Sequence, residues 1–326
     1  MNDLKTQILS IVEDDLAEIE QELTQNLSPY FDIVSQVASH ILFSGGKRLR
    51  PLLFVLSTRI CGYTGNLAKK FSIIFEYLHT ATLLHDDIVD GATLRRGKRV
   101  ANSIWGNPTA VLVGDFLLAR ASSISAETGQ LKVIKVLAEI TEDMSQGEIH
   151  QLMKKGSFDF SETEYLEVIR RKTAVLFRGA CGIGAMIANA SSDRETALSE
   201  YGFNLGMAFQ MTDDLIDYTS DTEILGKEVG ADLREGKLTL PVIYSLKSAG
   251  SSDRLWMEKI IKNRDFSVDE FKLLVDLLEK YGGIDYTKKL AAQYIQKAKG
   301  SLLVFDPSKN RDLLDMIADY ILERET

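Results

Sequence analysis

The chain has 326 residues, a formal net charge of −9, 45% hydrophobic and 26% charged residues. This is the composition of a globular protein with a sizeable core, and the acidic balance excludes a protein that grips nucleic acid through its overall charge. Its two cysteines are too few for a disulfide framework and imply a reducing compartment.

The opening stretch, MNDLKTQILSIVEDDLAEIE, is acidic and amphipathic, unlike a secretory signal. Leu4, Ile8, Ile11 and Val12 fall on helical spacing and predict a first helix. No apolar run reaches the roughly 18 residues that span a bilayer, so a cytoplasmic protein that does not cross a membrane is expected. Next comes FSGGKRLRP, from Phe43 to Pro51. Gly45 and Gly46 let the backbone turn. Lys47, Arg48 and Arg50 follow, a combination suited to gripping phosphate.

The apolar run IIFEYLHTATLL predicts a buried helix that ends in LLHDDIVD. On a helix Asp86 and Asp90 are i and i+4, and Asp87 and Asp90 are i and i+3, so the three share one face. Burying such charges unpaired costs several kcal/mol each. A cation from outside the chain is implied, and hard oxygen ligands suit Mg²⁺ bridged to substrate phosphates. Arg95 and Arg96 form a second basic cluster just beyond, and Lys172 marks a third.

A second apolar helix, YGFNLGMAF, leads into FQMTDDLIDYTSD. Asp213, Asp214 and Asp217 repeat the DDxxD spacing. One acidic triplet reads as a solvated helix end, but a repeat behind a second apolar helix does not. Two such faces turned toward each other would hold divalent ions and, through them, a diphosphate; without ions the like charges repel. GKEVGADLREGKLTLP then carries Lys227 and Lys237 in a glycine-rich loop suited to closing over a substrate and excluding water. It is not a P-loop, because no GxxxxGK[ST] occurs. Two separate basic sets imply two diphosphate substrates.

Ser161-x-x-Glu164 and Ser267-x-x-Glu270 read as capping boxes, and KLLVDLLEKYGG as a helix closed by a glycine. The five prolines, at 29, 51, 108, 241 and 307, leave long helical segments between them. Strand alternation bounded by turn dipeptides is nearly absent. An all-α chain of on the order of a dozen helices is expected, with residues 1–326 forming one domain because no linker interrupts them.

At this point the sequence resembles the trans-isoprenyl (polyprenyl) diphosphate synthases, and SIWGNPTAVLVGDFLLARA looks most like the octaprenyl type. GGKRLRP, LLHDDIVD, LRRGK, GDFLLARA, FQMTDDLIDY and GKEVGADLREGKLTLP match that family in its order. The resemblance implies an isoprenoid-synthase-type helical bundle around a deep central cavity, three Mg²⁺ ions, and head-to-tail condensation of isopentenyl diphosphate with an allylic diphosphate. By matching motif it implies Asp86, Asp90 and Asp213 as principal metal ligands, with Asp87, Asp214 and Asp217 in support. It implies Arg95, Lys172, Lys227 and Lys237 on the allylic diphosphate. Lys47, Arg50, His79 and Arg96 would hold isopentenyl diphosphate, and Thr173 and Gln210 would face the developing allylic cation. His85 would cap or orient the acid cluster. His40 and His150 carry no motif. The family is usually homodimeric, and a homodimer is expected.

Ala81 lies five residues before Asp86, roughly 7–8 Å down the helix, with Thr82 beside it. In the family a bulky aromatic there floors the cavity; Ala81 is small. Growth past C20, to a quinone side chain of roughly C35 to C50, is the expectation. A shorter-chain synthase and the catalytic subunit of a hetero-oligomeric heptaprenyl-type synthase are the alternatives. A terpene cyclase or squalene-type synthase would not need GGKRLRP together with Arg96. A phosphohydrolase built on His85-Asp86 would need further metal-ligating histidines at suitable positions, and only three others occur in the chain.

Overall fold

A computed structural model of the chain describes residues 4–27, 29–219 and 230–324. It is built almost wholly of helices. In chain order they are α1 (Leu4–Leu27), α2 (Asp32–Leu42), α3 (Leu49–Ile60), α4 (Ala68–Val89), α5 (Ala101–Trp105), α6 (Asn107–Ala126), α7 (Leu131–Lys154), α8 (Glu162–Ile169), α9 (Val175–Ile187) and α10 (Ser192–Thr219). After them come α11 (Ala231–Arg234), α12 (Leu240–Ser248), α13 (Ser251–Lys262), α14 (Val268–Lys280), α15 (Gly283–Ser301) and α16 (Lys309–Glu323). Both capping boxes form: the Ser161 and Ser267 side chains accept from the Glu164 and Glu270 backbone N–H, and each glutamate reaches back to its cap. α14 ends at Tyr281, followed by Gly282 at φ +75°.

The sequence pattern misses one element. β1 (Leu94–Arg95) and β2 (Lys98–Arg99) pair antiparallel, Leu94 with Arg99 and Arg95 with Lys98. The two loop residues, Arg96 (φ +52°) and Gly97 (φ +72°), both sit in the left-handed region. That is the turn which matches strand twist in a two-residue hairpin. LRRGKR therefore encodes a rigid tip as well as a basic cluster.

The chain divides into two compact units. The first comprises Met1–Thr141, Leu176–Gly202 and Ser301–Ile317. Its centre is α4, buried on nearly every face from Phe71 to Leu84. α1, α3 and α6 pack around it. α1 turns Ile8, Val12, Asp15, Ile19, Leu23 and Leu27 inward. Ile11, expected on that stripe, is 57% exposed, because the 3.6-residue period continues the stripe through Val12 and Asp15. Each fully buried aliphatic side chain contributes about 1.5–3 kcal/mol. Tyr77, deep in α4, donates its hydroxyl to Leu23 O at 2.7 Å. Asp15 is made tolerable inside by the fork of Arg59, two contacts of 2.5 Å. α6 is long and apolar enough to cross a membrane by length and composition alone. Asp115 and Arg120 interrupt it, and Ala110, Val113, Leu117, Ala121 and Ile124 are buried on its α4 side, so it packs as a core helix and contains no unbroken apolar run of that length.

The second unit comprises Glu142–Val175, Phe203–Gly300 and Ala318–Thr326. Here α12 packs on α8 and α14, and α13 on α14. Tyr244 stacks on Tyr286 at 4.1 Å between ring centroids, and Phe266 on Phe271 at 5.7 Å. Between α8 and α9 the helix widens into a π turn, Arg170–Ala174. Such bulges recur at functional sites, since they re-aim side chains without ending the helix.

Candidate active site

In the first unit the two basic motifs meet. Of the three cations after Gly46, Arg48 turns into the core. Its guanidinium reaches Glu76 at 2.5 Å, Glu20 at 2.6 Å and Leu42 O at 2.5 Å. Its backbone holds φ +46°. Arg48 thus fixes the loop, a duty the sequence does not separate from phosphate binding. Lys47 is exposed and Arg50 half-buried, the Arg50 guanidinium lying 4.6 Å above the Phe177 ring. A methyl group added at Gly46 would sit 3.7 Å from Arg96 Nη1, so the hairpin tip reaches the GGKRLRP loop. His79 lies in this field. Desolvation, then Arg50, Arg95, Arg96 and Arg48, hold its pKa well below the usual value. A neutral imidazole can bind an anion as a hydrogen-bond donor without adding another cation.

The first acid motif closes α4. Asp90 is the C-cap, with its N–H on Asp86 O at 2.8 Å. Three carboxylates thus stand at the negative end of a helix dipole, an arrangement that favours a cation. Asp86 and Asp90 are half-exposed and Asp87 is buried. Arg95 Nη2 and Nε both reach Asp87 Oδ1, at 2.7 and 2.9 Å. Asp87 Oδ2 is buried and, among the described residues, has no hydrogen-bond partner. His85 does not orient these acids, contrary to expectation. Its Nε2 lies 3.2 Å from Val111 O and 3.6 Å from Asp115 Oδ1, packed over Gly114, where a methyl group would come within 2.3 Å of the ring. The helix register points His85 toward α6 while Asp86 and Asp90 face elsewhere.

Further down α4, Ala81 has no exposed surface and Thr82 Oγ1 donates to His79 O at 2.8 Å. Phe75, six residues before Ala81, is fully buried, its ring centroid 5.8 Å from that of Phe54.

The second acid motif lies in the second unit, near the end of the described span of α10. Here the three carboxylates have three different settings. Asp213 is exposed and pairs with Arg324 at 2.6 Å. Asp214 is buried; Tyr165 donates to its Oδ2 at 2.6 Å and Gln210 Nε2 to its Oδ1 at 2.7 Å. Burial pushes the Asp214 carboxyl up to about 7, with the Tyr165 and Gln210 hydrogen bonds opposing and Asp213 and Asp217 adding to the shift. Asp217 accepts the backbone N–H of Ala231 and Asp232, each at 3.1 Å, and so caps α11. Asp232 is half-buried beside it, its carboxyl also pushed up by desolvation and by Asp217 and Asp214.

Next to this motif a cleft is lined by Lys172 and Thr173 of the π turn, Gln210 and Asp214 of α10, and Asp232 and Lys237. Thr173 Oγ1 donates to Gln210 Oε1 at 2.8 Å. Thr173, Gln210, Asp214 and Tyr165 therefore form one chain of hydrogen bonds with the amide orientation fixed. Lys172 Nζ rests on Gln151 at 2.9 Å and on Glu148. α7 approaches this turn closely at Gly147, where a methyl group would meet the Lys172 backbone N at 2.9 Å. Lys237 pairs with Glu235 at 2.6 Å. Lys227 lies outside the described residues. Tyr165, Asp232 and Arg324 were missed in the sequence, since none carries a spacing pattern of its own.

Among the described residues no three carboxylate, histidine or cysteine groups converge into a closed metal cage. Mg²⁺ does not require one: it keeps several waters and binds through one or two carboxylates plus substrate phosphates. The orphaned Asp87 Oδ2 and the half-exposed Asp86 and Asp90 fit that mode.

The polyprenyl synthetase family pattern matches residues 31–278. The chain belongs to this family. It is a prenyltransferase of the trans-prenyl diphosphate synthase class, with the all-α isoprenoid-synthase fold. It is similar to octaprenyl diphosphate synthase of Escherichia coli, 36% identical across 95% of this chain and 96% of the relative. It is also similar to heptaprenyl diphosphate synthase component 2 of Bacillus subtilis, 34% identical across 100% of this chain and 92% of the relative. A polyprenyl synthase of Caulobacter crescentus, solved with calcium and isoprenyl diphosphate, superposes with a TM-score of 0.93 at 39% identity, covering 99% of this chain and 98% of that one. Relatives of similar identity carry names from short-chain to nonaprenyl synthases. The family is metal-dependent.

Proposed function

We propose that the chain is a long-chain trans-polyprenyl diphosphate synthase. It adds isopentenyl diphosphate head-to-tail onto an allylic diphosphate such as farnesyl diphosphate, to a product of roughly C35 to C50, with residues 1–326 acting as one catalytic domain. The observation that carries this reading is the buried, unpartnered Asp87 Oδ2 between two half-exposed carboxylates at a helix C-terminus. Asp86, Asp90 and Asp213 would bind Mg²⁺, three ions with substrate present, and Asp87, Asp214 and Asp217 would support them. Bound Mg²⁺ supplies charge neutralisation to the departing diphosphate.

The chain's own residues do the rest. Arg95, Lys172, Lys227 and Lys237 bind the allylic diphosphate and stabilise the charge that gathers on it as the C–O bond breaks. Lys47, Arg50, Arg96 and neutral His79 hold isopentenyl diphosphate. Thr173 and Gln210, locked by their mutual hydrogen bond, present oxygen dipoles to the allylic cation. The isopentenyl double bond attacks that cation and the departed diphosphate removes the proton, so no side-chain base is needed.

Ala81, about one and a half turns below the acids, adds no aromatic bulk that would floor a product channel there, the pattern expected for growth past C20. The octaprenyl, nonaprenyl and heptaprenyl relatives favour that length. The Bacillus relative is named as a component, which favours one second reading: a catalytic subunit that needs a partner. A homodimer in the cytoplasm is the first reading. The test is turnover of labelled isopentenyl diphosphate by the purified chain and by Asp86→Ala and Asp213→Ala. Each variant is expected to lose orders of magnitude while its helical circular dichroism stays unchanged. Near-parent turnover in either sinks the metal assignment.

A further inference from the structure

Just beyond α16, Arg324 meets Asp213. Its side chain is 3% exposed, whereas that of Asp213 is 57% exposed. Nη2 donates to Asp213 Oδ1 at 2.6 Å and to Phe209 O at 3.2 Å, and the guanidinium lies 4.0 Å above the Phe209 ring. Phe209 and Asp213 are i and i+4 on α10, so the guanidinium runs along one helix face and is held at three points. Among the described residues its buried Nε has no hydrogen-bond partner. An unsatisfied buried donor carries a desolvation penalty, which asks for a compensating role.

We infer that Arg324 is a positioning residue for the Asp213 carboxylate, fixing its rotamer so that Oδ2 faces outward to a divalent cation. The inference rests on Asp213 being a metal ligand, as proposed above. Three features support it. The hydrogen bond and ion pair from Arg324 both fall on Oδ1, not on Oδ2. Arg324 is anchored on the Phe209 ring and carbonyl independently of Asp213, so cation binding need not displace it. An exposed aspartate on a helix otherwise spreads over several rotamers, and carboxylates that ligate metals are ordinarily held by such outer partners. The opposite reading, a guanidinium standing in for the metal and competing with it, predicts the reverse effect on affinity.

The test is Mg²⁺ binding in the presence of inorganic diphosphate, followed by titration calorimetry, with turnover measured against Mg²⁺ concentration. Arg324→Ala is expected to raise the apparent Mg²⁺ dissociation constant about tenfold, within the range seen when outer partners of metal ligands are lost. Its turnover should return near the parent value at saturating Mg²⁺. Arg324→Lys, which keeps the charge, should fall between. Should Arg324→Ala fold poorly by circular dichroism, Arg324→Gln retains the packed stem and serves in its place. Unchanged or tighter Mg²⁺ binding in these variants, or turnover that Mg²⁺ does not restore, overturns the inference. Asp213→Ala separates the two levels. If it weakens Mg²⁺ binding and the Arg324 variants do not, only Arg324 is misassigned. If Asp213→Ala itself binds Mg²⁺ like the parent, the ligand reading of Asp213 falls and this inference falls with it.

Discussion

The two DDxxD motifs are written alike and built differently. The first stands at the end of α4, where its middle acid, Asp87, is buried against Arg95 and the flanking Asp86 and Asp90 are half-exposed. The second stands on α10, where Asp213 looks outward, Asp214 is pinned by Tyr165 and Gln210, and Asp217 caps α11. Identical spacing therefore distributes burial unequally: only the middle acid is buried in each motif, but Asp86 and Asp90 flank it half-exposed in one, whereas Asp213 is exposed and Asp217 holds the backbone of α11 in the other. Spacing says which residues share a helix face; only the neighbours say which of them is still available to a ligand.

The sharpest way to break this comparison is to remove the last acid of each motif. Asp90→Ala should lower turnover at least about 100-fold, because a lost metal contact is worth several kcal/mol, with little change in stability. Asp217→Ala should act first on stability, losing about 1–2 kcal/mol in urea denaturation through the two released N–H groups of α11. Equal behaviour of the two variants would show that the motifs are used symmetrically.

A smaller effect tests the pinned acid. Tyr165→Phe leaves Asp214 Oδ2 buried without its donor and should cost about 1–3 kcal/mol of stability, measured by the same denaturation. No loss would mean that Tyr165 does not hold Asp214.

The two regions should also respond to pH with opposite signs, in metal-free buffer. His79 has its folded pKa held below its unfolded value, so the unfolded chain binds the extra proton. That contribution is fully present above about pH 6.5 and is lost as pH falls below it. Asp214 has its folded pKa raised to about 7, so the folded chain keeps the proton. Its contribution is present below the unfolded pKa, about 3.9, and is lost as pH rises toward 7. Each slope is at most about 1.4 kcal/mol per pH unit. His79→Gln should make stability fall less as pH drops from 6.5. Asp214→Asn should make it fall less as pH rises from 4. Stability curves that stay parallel to the parent would contradict both assignments.

Much of this was legible in the sequence. The capping boxes, the closing glycine of α14, the burial of α4 and the sites of both acid motifs follow from periodicity and local chemistry. What was not legible depended on long-range packing. GGKRLRP reads as three equivalent cations, and only the position of Glu20 and Glu76 turns Arg48 inward. His85 sits beside the acids in sequence, yet Gly114 opens a slot for it on α6. The hairpin was hidden because a turn with two left-handed residues usually announces itself with Asn-Gly, not Arg-Gly. Tyr165 and Arg324 reach the second motif from distant segments, and no local pattern marks them.

The central claim is that this chain itself performs repeated head-to-tail condensation in a channel left open by a small residue at position 81. The direct measurement is to incubate the purified chain with Mg²⁺, farnesyl diphosphate and labelled isopentenyl diphosphate, and to size the hydrolysed prenols by mass spectrometry beside Ala81→Phe. The account predicts a dominant parent product between C35 and C50 and a shorter one from the variant. A parent product that stops at C15 or C20, or a variant whose product is unchanged, would contradict it.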